Sequence, residues 1–289
     1  MTLMDRVAGA PISWGVCEVP GWGSQLPAAV VLQGMRQLGL TATELGPDGF
    51  LPVDPSVKAA ALAAAGLQAA GGFVPVVLHA PDVDPVDQVR EAVDGLVAAA
   101  APVVVLAAAS GQDGYDSRPV LDEHGWSTLT ANLDRLDRYV ADRGLRATLH
   151  PHVGTMVERG AEVQRVLDGS SIALCLDTGH LVIGGTDPVE LAQQHSGRVA
   201  HVHLKDVDAA WARKVSAGEV AYADAVAQGL YRPLGQGDVD VAEIVRLLES
   251  AGYQGWYVLE QDTVLDEPAS DAGPLADVRA SLDFLRAIA

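Results

Sequence analysis

The 289-residue sequence predicts an α/β fold, a single (β/α)8 TIM barrel that spans residues 1–289. Three observations support this prediction. Eight short apolar runs recur along the chain, segments with helical spacing separate them, and the length suits a barrel of about 250 residues with modest additions. No G-x-G-x-x-G follows the first run and no P-loop occurs, so the usual signatures of an open, doubly wound nucleotide-binding sheet are missing.

The strand candidates are bounded by Gly, Pro or polar residues. Most of them are apolar throughout, which is typical of strands that are buried on both faces. In chain order they cover residues 10–16, 41–46, 73–80, 102–109, 146–152, 171–179, 198–206 and 255–262.

The segments between these strands have the apolar spacing of amphipathic helices, and several end on glycine, as helices with a left-handed closing residue do. They cover residues 28–39, 55–68, 87–100, 127–144, 161–169, 187–197 and 240–253, and a final helix, 275–289, follows the last strand. Residues 209–237 exceed an ordinary connection, and we expect them to cover part of the barrel mouth.

The charge balance restricts the partners of this protein. With 19 basic and 38 acidic side chains, the formal charge is -19, which repels both nucleic acid and anionic lipid surfaces. We find no targeting segment and no apolar stretch of about 20 residues that could span a bilayer, so we expect a cytoplasmic protein without a membrane partner. Cys17 and Cys175 lie in apolar stretches and are interpreted as two buried thiols.

Ionisable side chains gather where the predicted strands end, which is where barrel enzymes carry their working residues. Because a charged group that is buried without a partner costs several kcal/mol, these groups need partners, and a divalent cation suits mixed His, Asp and Glu. The strand-end residues are Trp14, Glu18, Glu44, His79, His150, His152, Asp177, His180, His203, Lys205, Asp206, Glu260 and Asp262.

Structural roles also explain some of these residues. Asp177 precedes a Thr-Gly turn and could cap it through backbone amides. His203 could be a satisfied core histidine, as His201 could. Glu260 ends an apolar run and needs a positive partner, for which Lys205 is the other obvious candidate.

Several segments resemble the xylose-isomerase-like TIM-barrel superfamily of sugar isomerases, epimerases and dehydratases. They are CLDTGH (175–180), HVHLKD (201–206), PLGQGDVD (233–240) and LEQD (259–262). More narrowly, GAPISWGVCEVPGWG (9–23) and TELGPDGFLP (43–52) resemble inosose dehydratases, which act in myo-inositol catabolism. The superfamily also holds a DNA repair type, which the acidic charge of this chain disfavours.

The resemblance implies a metal site whose ligands fall on Asp177, His203 and Glu260. A fourth ligand belongs at the end of the fifth strand, where many relatives have glutamate and this chain has His150. Because strand residues two apart point the same way, His152 could reach the same space. For such ligands we expect Mn²⁺ or Co²⁺ rather than Ca²⁺, with Zn²⁺ and Mg²⁺ left open.

A divalent cation in such a site polarises a carbonyl and promotes loss of the adjacent proton, which gives an enediolate. Dehydration, epimerisation and isomerisation all proceed from that species. The dehydratase prediction has 2-keto-myo-inositol (scyllo-inosose) as substrate, Glu260 or Glu158 as the base, and His152, His180 or Lys205 as the acid for the departing hydroxide.

Substrate contacts are predicted for Trp14, Glu44, His79 and His180, with Trp22 and Phe50 as further candidates for an aromatic wall. The expected partner is a small sugar or cyclitol. Members of the superfamily often form dimers or tetramers, so the resemblance also implies a homo-oligomer. Two other functions stay open: an epimerase or isomerase of a ketose or keto-inositol, and a non-catalytic sugar-binding barrel.

Overall fold

Parallel strands alternate with helices in a computed structural model that describes residues 2–267 and 269–289. The strands are short, and their central positions are almost entirely buried. They are β1 (Val7–Gly9), β2 (Ala42–Glu44), β3 (Gln68–Gly71), β4 (Phe73–Val76), β5 (Val103–Ala108), β6 (Arg146–Leu149), β7 (Ala173–Asp177), β8 (Val199–Leu204), β9 (Asp206–Val207), β10 (Tyr231–Arg232) and β11 (Tyr257–Leu259).

Nine of these strands form one parallel sheet in the order β3-β2-β1-β11-β8-β7-β6-β5-β4. The two strands at its ends, β3 and β4, follow each other in the chain and are separated only by Gly72. Gly72 O accepts a hydrogen bond from Val105 N at 3.0 Å, while Gly71 O accepts one from Leu45 N at 3.1 Å. The two segments are therefore halves of one bent strand, and the sheet closes into an eight-stranded barrel, which confirms the predicted fold class.

Helices surround the barrel and bury one face against it. They are α1 (Ala28–Gln37), α2 (Pro55–Ala65), α3 (Pro85–Ala98), α4 (Glu123–Ala141), α5 (Gly160–Gly169), α6 (Thr178–Ile183), α7 (Pro188–His195), α8 (Ala209–Ser216), α9 (Tyr222–Ala227), α10 (Val241–Ser250) and α11 (Ala272–Ile288). Among the described residues, no helix has the length and apolar character needed to cross a membrane.

The first strand lies earlier than the sequence predicts. Residues 10–16 were expected to form it, but β1 ends at Gly9 and Pro11–Trp14 form a short 3-10 helix. Proline has a fixed φ and no N–H to donate to a neighbouring strand, so it suits the first turn of a helix. Gly15, at φ 77, then ends this turn in the left-handed conformation.

The third strand also begins earlier than predicted. The helix expected over 55–68 ends at Ala65, because Gly66 takes φ 68 and reverses the chain. Gln68 then starts β3 beside Ala42 of β2. The alanine-rich composition of this region conceals the change from helix to strand.

The long connection after β8 folds over the barrel mouth as a segment of its own, which we call the mouth segment (residues 208–232). It contains α8, α9 and β10. At its end β10 returns to pair with β9 in an antiparallel manner, Tyr231 opposite Val207. Both ends of the mouth segment are thus held next to the carboxyl end of β8.

Asp206 fixes the loop that follows the mouth segment. Its buried carboxylate accepts hydrogen bonds from the backbone amides of Gly235, Gly237 and Val239 at 2.8–3.0 Å. A Cβ added at Gly237 would lie 2.3 Å from Asp206 Oδ1, so the loop can approach the carboxylate only with glycine there. Asp206 therefore has a structural task although it sits in the middle of the strand-end cluster.

An ion pair between a buried arginine and a partly exposed glutamate lies at the opposite end of the barrel, and it leads to a stability prediction. Arg6 is 2% exposed and its Nη2 donates to both carboxylate oxygens of Glu249, at 2.7 and 2.6 Å. Replacing Glu249 by Gln removes the counter-charge of the buried guanidinium, and because the Glu249 side chain is 35% exposed and screened by solvent, we expect the free energy of unfolding to fall by only about 1 to 2 kcal/mol. Urea unfolding measures this loss.

The matched control is on the same helix, α10. Glu243 pairs with Arg246 on the surface, where solvent screens the charges, so Glu243→Gln should leave the free energy of unfolding close to the wild-type value. Equal free energies of unfolding for Glu249→Gln and Glu243→Gln would show that the Glu249 carboxylate does not stabilise the buried Arg6.

Candidate active site

A cavity of about 360 Å³ opens at the carboxyl ends of the barrel strands. Its polar wall contains Glu44, His150, His152, Glu260 and Asp262, and its aromatic wall contains Trp22, Phe73, Tyr115 and Tyr222. Each residue of the polar wall stands at or just after the end of β2, β6 or β11. The rule that strand ends carry the working residues thus predicts the location of this cavity.

Three side chains predicted as metal ligands converge beside the cavity. One ligand atom each from Asp177, His203 and Glu260 lies within 4.8 Å of the others. His203 Nδ1 is 2.7 Å from Glu260 Oε2 and 3.6 Å from Asp177 Oδ2. Asp177 and His203 are fully buried, whereas the Glu260 side chain is 13% exposed and faces the cavity.

Two of the three convergent atoms, His203 Nδ1 and Glu260 Oε2, lack hydrogen-bond partners among the described residues. Although His203 Nδ1 and Glu260 Oε2 are only 2.7 Å apart, they are not aligned for a hydrogen bond, and both atoms are buried and unpaired. Leaving buried polar atoms unpaired is costly. A cation that accepts donation from both atoms would remove the cost, so the residues present fit a divalent metal.

Asp177 has both of the roles that its sequence context suggests. Its Oδ1 accepts hydrogen bonds from the amides of Gly179 and His180 at 2.9 and 2.7 Å, which caps α6. Its Oδ2 faces the cluster instead, 3.1 Å from His150 Nε2. The cap therefore holds the carboxylate in one orientation and leaves one oxygen for the site.

The two histidines after β6 occupy different positions. Ligand atoms of His150 converge with those of Asp177 and His180, and also with those of His203 and Cys175. We call such clusters of possible metal ligands metal-type groups. His152 belongs to none of the metal-type groups found in residues 2–267 and 269–289. Because β6 ends at Leu149, the two-residue alternation of a strand no longer governs the residues after it. His152 instead lines the cavity, with its ring 3.8 Å from that of His180.

Glu44 lines the cavity and also orients two histidines. Its Oε1 accepts hydrogen bonds from His201 Nε2 at 2.8 Å and from His203 Nε2 at 3.1 Å. Since Nε2 of His203 donates to Glu44, Nδ1 is the nitrogen that points to the cluster, and it would bind a cation after losing its proton. One carboxylate oxygen of Glu44, a residue expected to contact substrate, is thus engaged by imidazoles, and His201 supports Glu44 from behind the cluster.

Lys205 is buried behind the polar wall and does not line the cavity. Its Nζ lies 2.6 Å from Asp262 Oδ1, 3.0 Å from Glu260 Oε1 and 3.1 Å from His180 Nε2. The contacts to Asp262 and His180 are hydrogen bonds and the contact to Glu260 is an ion pair, so the ammonium faces three acceptors.

The surroundings set the charge of two ionisable residues of the cavity wall, Glu260 and His152. Burial would raise the pKa of Glu260, but the nearby His203 and Lys205 outweigh it and hold the pKa at about 2. Burial lowers the pKa of His152 to about 3, with His150 and Lys205 adding to the effect. Near pH 7, Glu260 is therefore a carboxylate and His152 a neutral imidazole. His152 Nδ1 donates to Val153 O at 2.7 Å, so its Nε2 is an acceptor.

Several residues predicted for the site lie elsewhere. Trp14 is completely buried beside Gly34 of α1 and does not form part of the cavity wall. His79 does not line the cavity. Glu158 pairs with Arg118 at 3.5 Å and accepts a hydrogen bond from Gly154 N at 2.9 Å, which places its carboxylate in the loop after β6.

These placements correct three of the expected roles. Trp14 belongs to the core because the 3-10 turn at Pro11–Trp14 directs it towards α1. Phe50, a candidate for the aromatic wall, also packs against the core, whereas Trp22, the other such candidate, lines the cavity.

Sequence reasoning missed three tyrosines at the mouth. Tyr222 OH donates to Asp262 Oδ2 at 2.6 Å and lies 2.8 Å from Tyr231 OH, while the ring of Tyr115 is 5.2 Å from that of His152. Tyr222 and Tyr231 belong to the mouth segment, and its length was the one signal in the sequence.

Comparisons with known proteins agree with this architecture. The family model described as "Xylose isomerase-like TIM barrel" matches residues 32–288. This chain belongs to that family.

Relatives of this family member include a protein named inosose dehydratase from Geobacillus thermodenitrificans, which is 30% identical over 275 residues, 90% of this chain and 91% of the relative. The rhizopine catabolism protein MocC of Rhizobium meliloti is 34% identical over 266 residues, 89% of this chain and 81% of that protein. Among solved structures, an L-ribulose 3-epimerase superposes with a TM-score of 0.71 at 15% identity, covering 98% of this chain and 94% of its own. The family and the relatives indicate an enzyme of carbohydrate metabolism.

Proposed function

We propose that this protein is a metal-dependent dehydratase of a keto-polyol such as 2-keto-myo-inositol, a lyase of myo-inositol catabolism. The observation that carries the proposal is the convergence of Asp177, His203 and Glu260, with unpaired buried ligand atoms, on the edge of one cavity. The similarity to relatives named inosose dehydratase supports the choice of reaction.

The metal would be held by Asp177 Oδ2, His203 Nδ1 and Glu260 Oε2, with His150 Nε2 as the fourth ligand. This set has two imidazoles and two carboxylates, whose charge balances a divalent cation. Mn²⁺ or Co²⁺ suits it best. When bound, the metal supplies Lewis acidity that polarises the substrate ketone and acidifies the adjacent C–H.

The protein side chains would then move the protons. Glu260 is a carboxylate that faces the cavity, so it takes the proton next to the ketone and returns it to the departing β-hydroxyl, which leaves as water. His152 presents an unprotonated Nε2 and orients a substrate hydroxyl by accepting its hydrogen bond. Lys205 does not line the cavity and its ammonium faces Asp262, Glu260 and His180, so we assign it to holding Glu260 rather than to protonating the departing hydroxide.

The charge of the cavity favours an uncharged substrate. Its wall carries the carboxylates of Glu18, Glu44, Asp48, Glu91, Glu260 and Asp262, and among the described residues that line it there is no Lys or Arg. A phosphate group would meet repulsion without a compensating cation apart from the metal. A neutral polyol, by contrast, finds acceptors for its hydroxyls and aromatic rings for its apolar face.

The second candidate function is epimerisation or isomerisation of a ketose or keto-inositol. It is favoured by the superposition with the L-ribulose 3-epimerase and would use the same base and metal. The reactions differ in whether a β-hydroxyl leaves after the proton has been removed.

The product separates the two functions. Protein loaded with Mn²⁺ is given 2-keto-myo-inositol, and the ultraviolet spectrum and proton NMR of the mixture are followed. Dehydration yields a diketone or its enol, which absorbs in the ultraviolet. An epimer of unchanged mass and no new chromophore would establish the second function and refute the first.

A further inference from the structure

A chain of hydrogen bonds that ends in an ion pair leads from the mouth segment to Glu260. Tyr222 OH donates to Asp262 Oδ2 at 2.6 Å, and because that proton is used, Tyr231 OH donates to the oxygen of Tyr222 at 2.8 Å. The other oxygen of Asp262 accepts from Lys205 Nζ, which forms an ion pair with Glu260 Oε1 at 3.0 Å. Every member of the chain except Glu260 is at least 93% buried, because Asp262, the most exposed of the others, is 7% exposed.

The chain determines which oxygen of Glu260 is free. Lys205 engages Oε1 at 3.0 Å, while Oε2 has no hydrogen-bond partner and lies 2.7 Å from His203 Nδ1. Rotation of the Glu260 carboxylate would exchange these two oxygens. Lys205 prevents the exchange only if its own Nζ is held in place, and Asp262 provides the shortest contact to it, 2.6 Å.

Close packing keeps Lys205 and the mouth segment together. A Cβ added at Gly179 would lie 2.7 Å from Lys205 Cβ and 3.0 Å from Tyr231 Cε1, so the three residues touch. Lys205 Nζ also lies 5.1 Å from the centre of the Tyr231 ring, within the range of a cation–π contact. Tyr222 N donates to Asp116 Oδ1 at 3.0 Å, which fixes the mouth segment to the loop after β5.

We propose that Asp262 and Tyr222 are positioning residues that fix the orientation of Glu260 through Lys205. The mouth segment is thereby a part of the active site, because it supplies the tyrosine that holds Asp262. This inference rests on the proposed function in one respect only, the role of Glu260 as the base.

Steady-state kinetics with 2-keto-myo-inositol tests the proposal in two variants. Tyr222→Phe keeps the ring in the cavity wall but removes the hydrogen bond to Asp262, and Asp262→Asn removes the charge that holds Lys205. Misplacing the base affects the proton-transfer step, so we expect kcat to fall by about 10-fold in the first variant and about 100-fold in the second. KM should change by less than about 2-fold, because the variants alter the orientation of the base rather than the binding of substrate. A 10-fold change in KM would require the binding free energy to change by about 1.4 kcal/mol.

Tyr253→Phe is the matched control. It also removes a hydroxyl from a buried tyrosine, but at the other end of the barrel, where that hydroxyl donates to Trp256 O. Its kcat should equal that of the wild type. If kcat falls as much in this control as in Tyr222→Phe, the loss of activity comes from general destabilisation of the protein. That result would overturn the proposal.

A second measurement does not depend on activity. The chain has three lysines, Lys58, Lys205 and Lys214, of which Lys205 is the buried one. In protein labelled with ¹⁵N-lysine, the Lys205 ammonium should give a signal protected from hydrogen exchange, assigned with Lys58→Arg and Lys214→Arg. Tyr222→Phe and Asp262→Asn should shift this signal and speed its exchange, and Tyr253→Phe should not.

The two measurements keep the two proposals apart. If the wild type does not dehydrate the substrate while the Lys205 signal responds as expected, the proposed function fails and the positioning of Lys205 stands. If the wild type is active but Tyr222→Phe and Asp262→Asn leave both kcat and the Lys205 signal unchanged, the positioning proposal is overturned.

Discussion

Replacing Glu260 by Gln should reduce turnover of 2-keto-myo-inositol by at least about 10³-fold, because the change removes the proposed base and a proposed metal ligand together. The amide has nearly the same shape, and its oxygen can still accept from Lys205. Its nitrogen, however, cannot take a proton and would face His203 Nδ1 with hydrogens rather than a lone pair. Metal content after dialysis should fall in the same variant.

Glu91 gives the control for this prediction. It lines the same cavity, but it is an exposed residue of α3 with no contact to the metal-type cluster. Glu91→Gln should keep its metal and most of its kcat. Full activity in Glu260→Gln would remove Glu260 from the mechanism, and equal losses in the two variants would point to the overall charge of the cavity instead.

Exchanging His150 for Glu should leave the metal bound but lower kcat by about 10- to 100-fold. The variant would have three carboxylates around a divalent cation, and the additional negative charge weakens the polarisation of the substrate ketone. Kinetics and metal analysis of the same preparations measure both effects.

His152→Ala is the companion variant, because the two histidines are neighbours in sequence but differ in position. His152 lies outside the metal-type groups of the described residues and presents Nε2 to the cavity. Its loss should leave metal content unchanged and raise KM about 10-fold, the cost of one hydrogen bond to substrate. If His152→Ala lost the metal and His150→Glu did not lose rate, the two roles would have to be exchanged.

The sequence predicts the barrel and the place of its site for a physical reason. Parallel strands end at one rim, so residues that are distant in the chain, such as Glu44, Asp177 and Glu260, are brought together by the fold alone. Buried strands are continuous apolar runs, and a carboxylate at the end of such a run stands out.

The parts that could not be predicted depend on local geometry or on contacts without a sequence pattern. Pro11 and Gly66 change the start of the first and third strands by a few residues, which apolar runs do not reveal. The choice between His150 and His152 requires knowing that β6 stops at Leu149. The contact of Tyr222 with Asp262 joins residues 40 positions apart through a segment with no recognisable motif.

The metal dependence of the reaction is the central claim, and one measurement tests it most directly. Protein stripped of metal by chelation is assayed with 2-keto-myo-inositol in the ultraviolet, before and after addition of Mn²⁺ or Co²⁺. The account predicts no chromophore from the stripped protein and a return of dehydration when the metal is added. Undiminished dehydration by protein shown to be free of metal would contradict it.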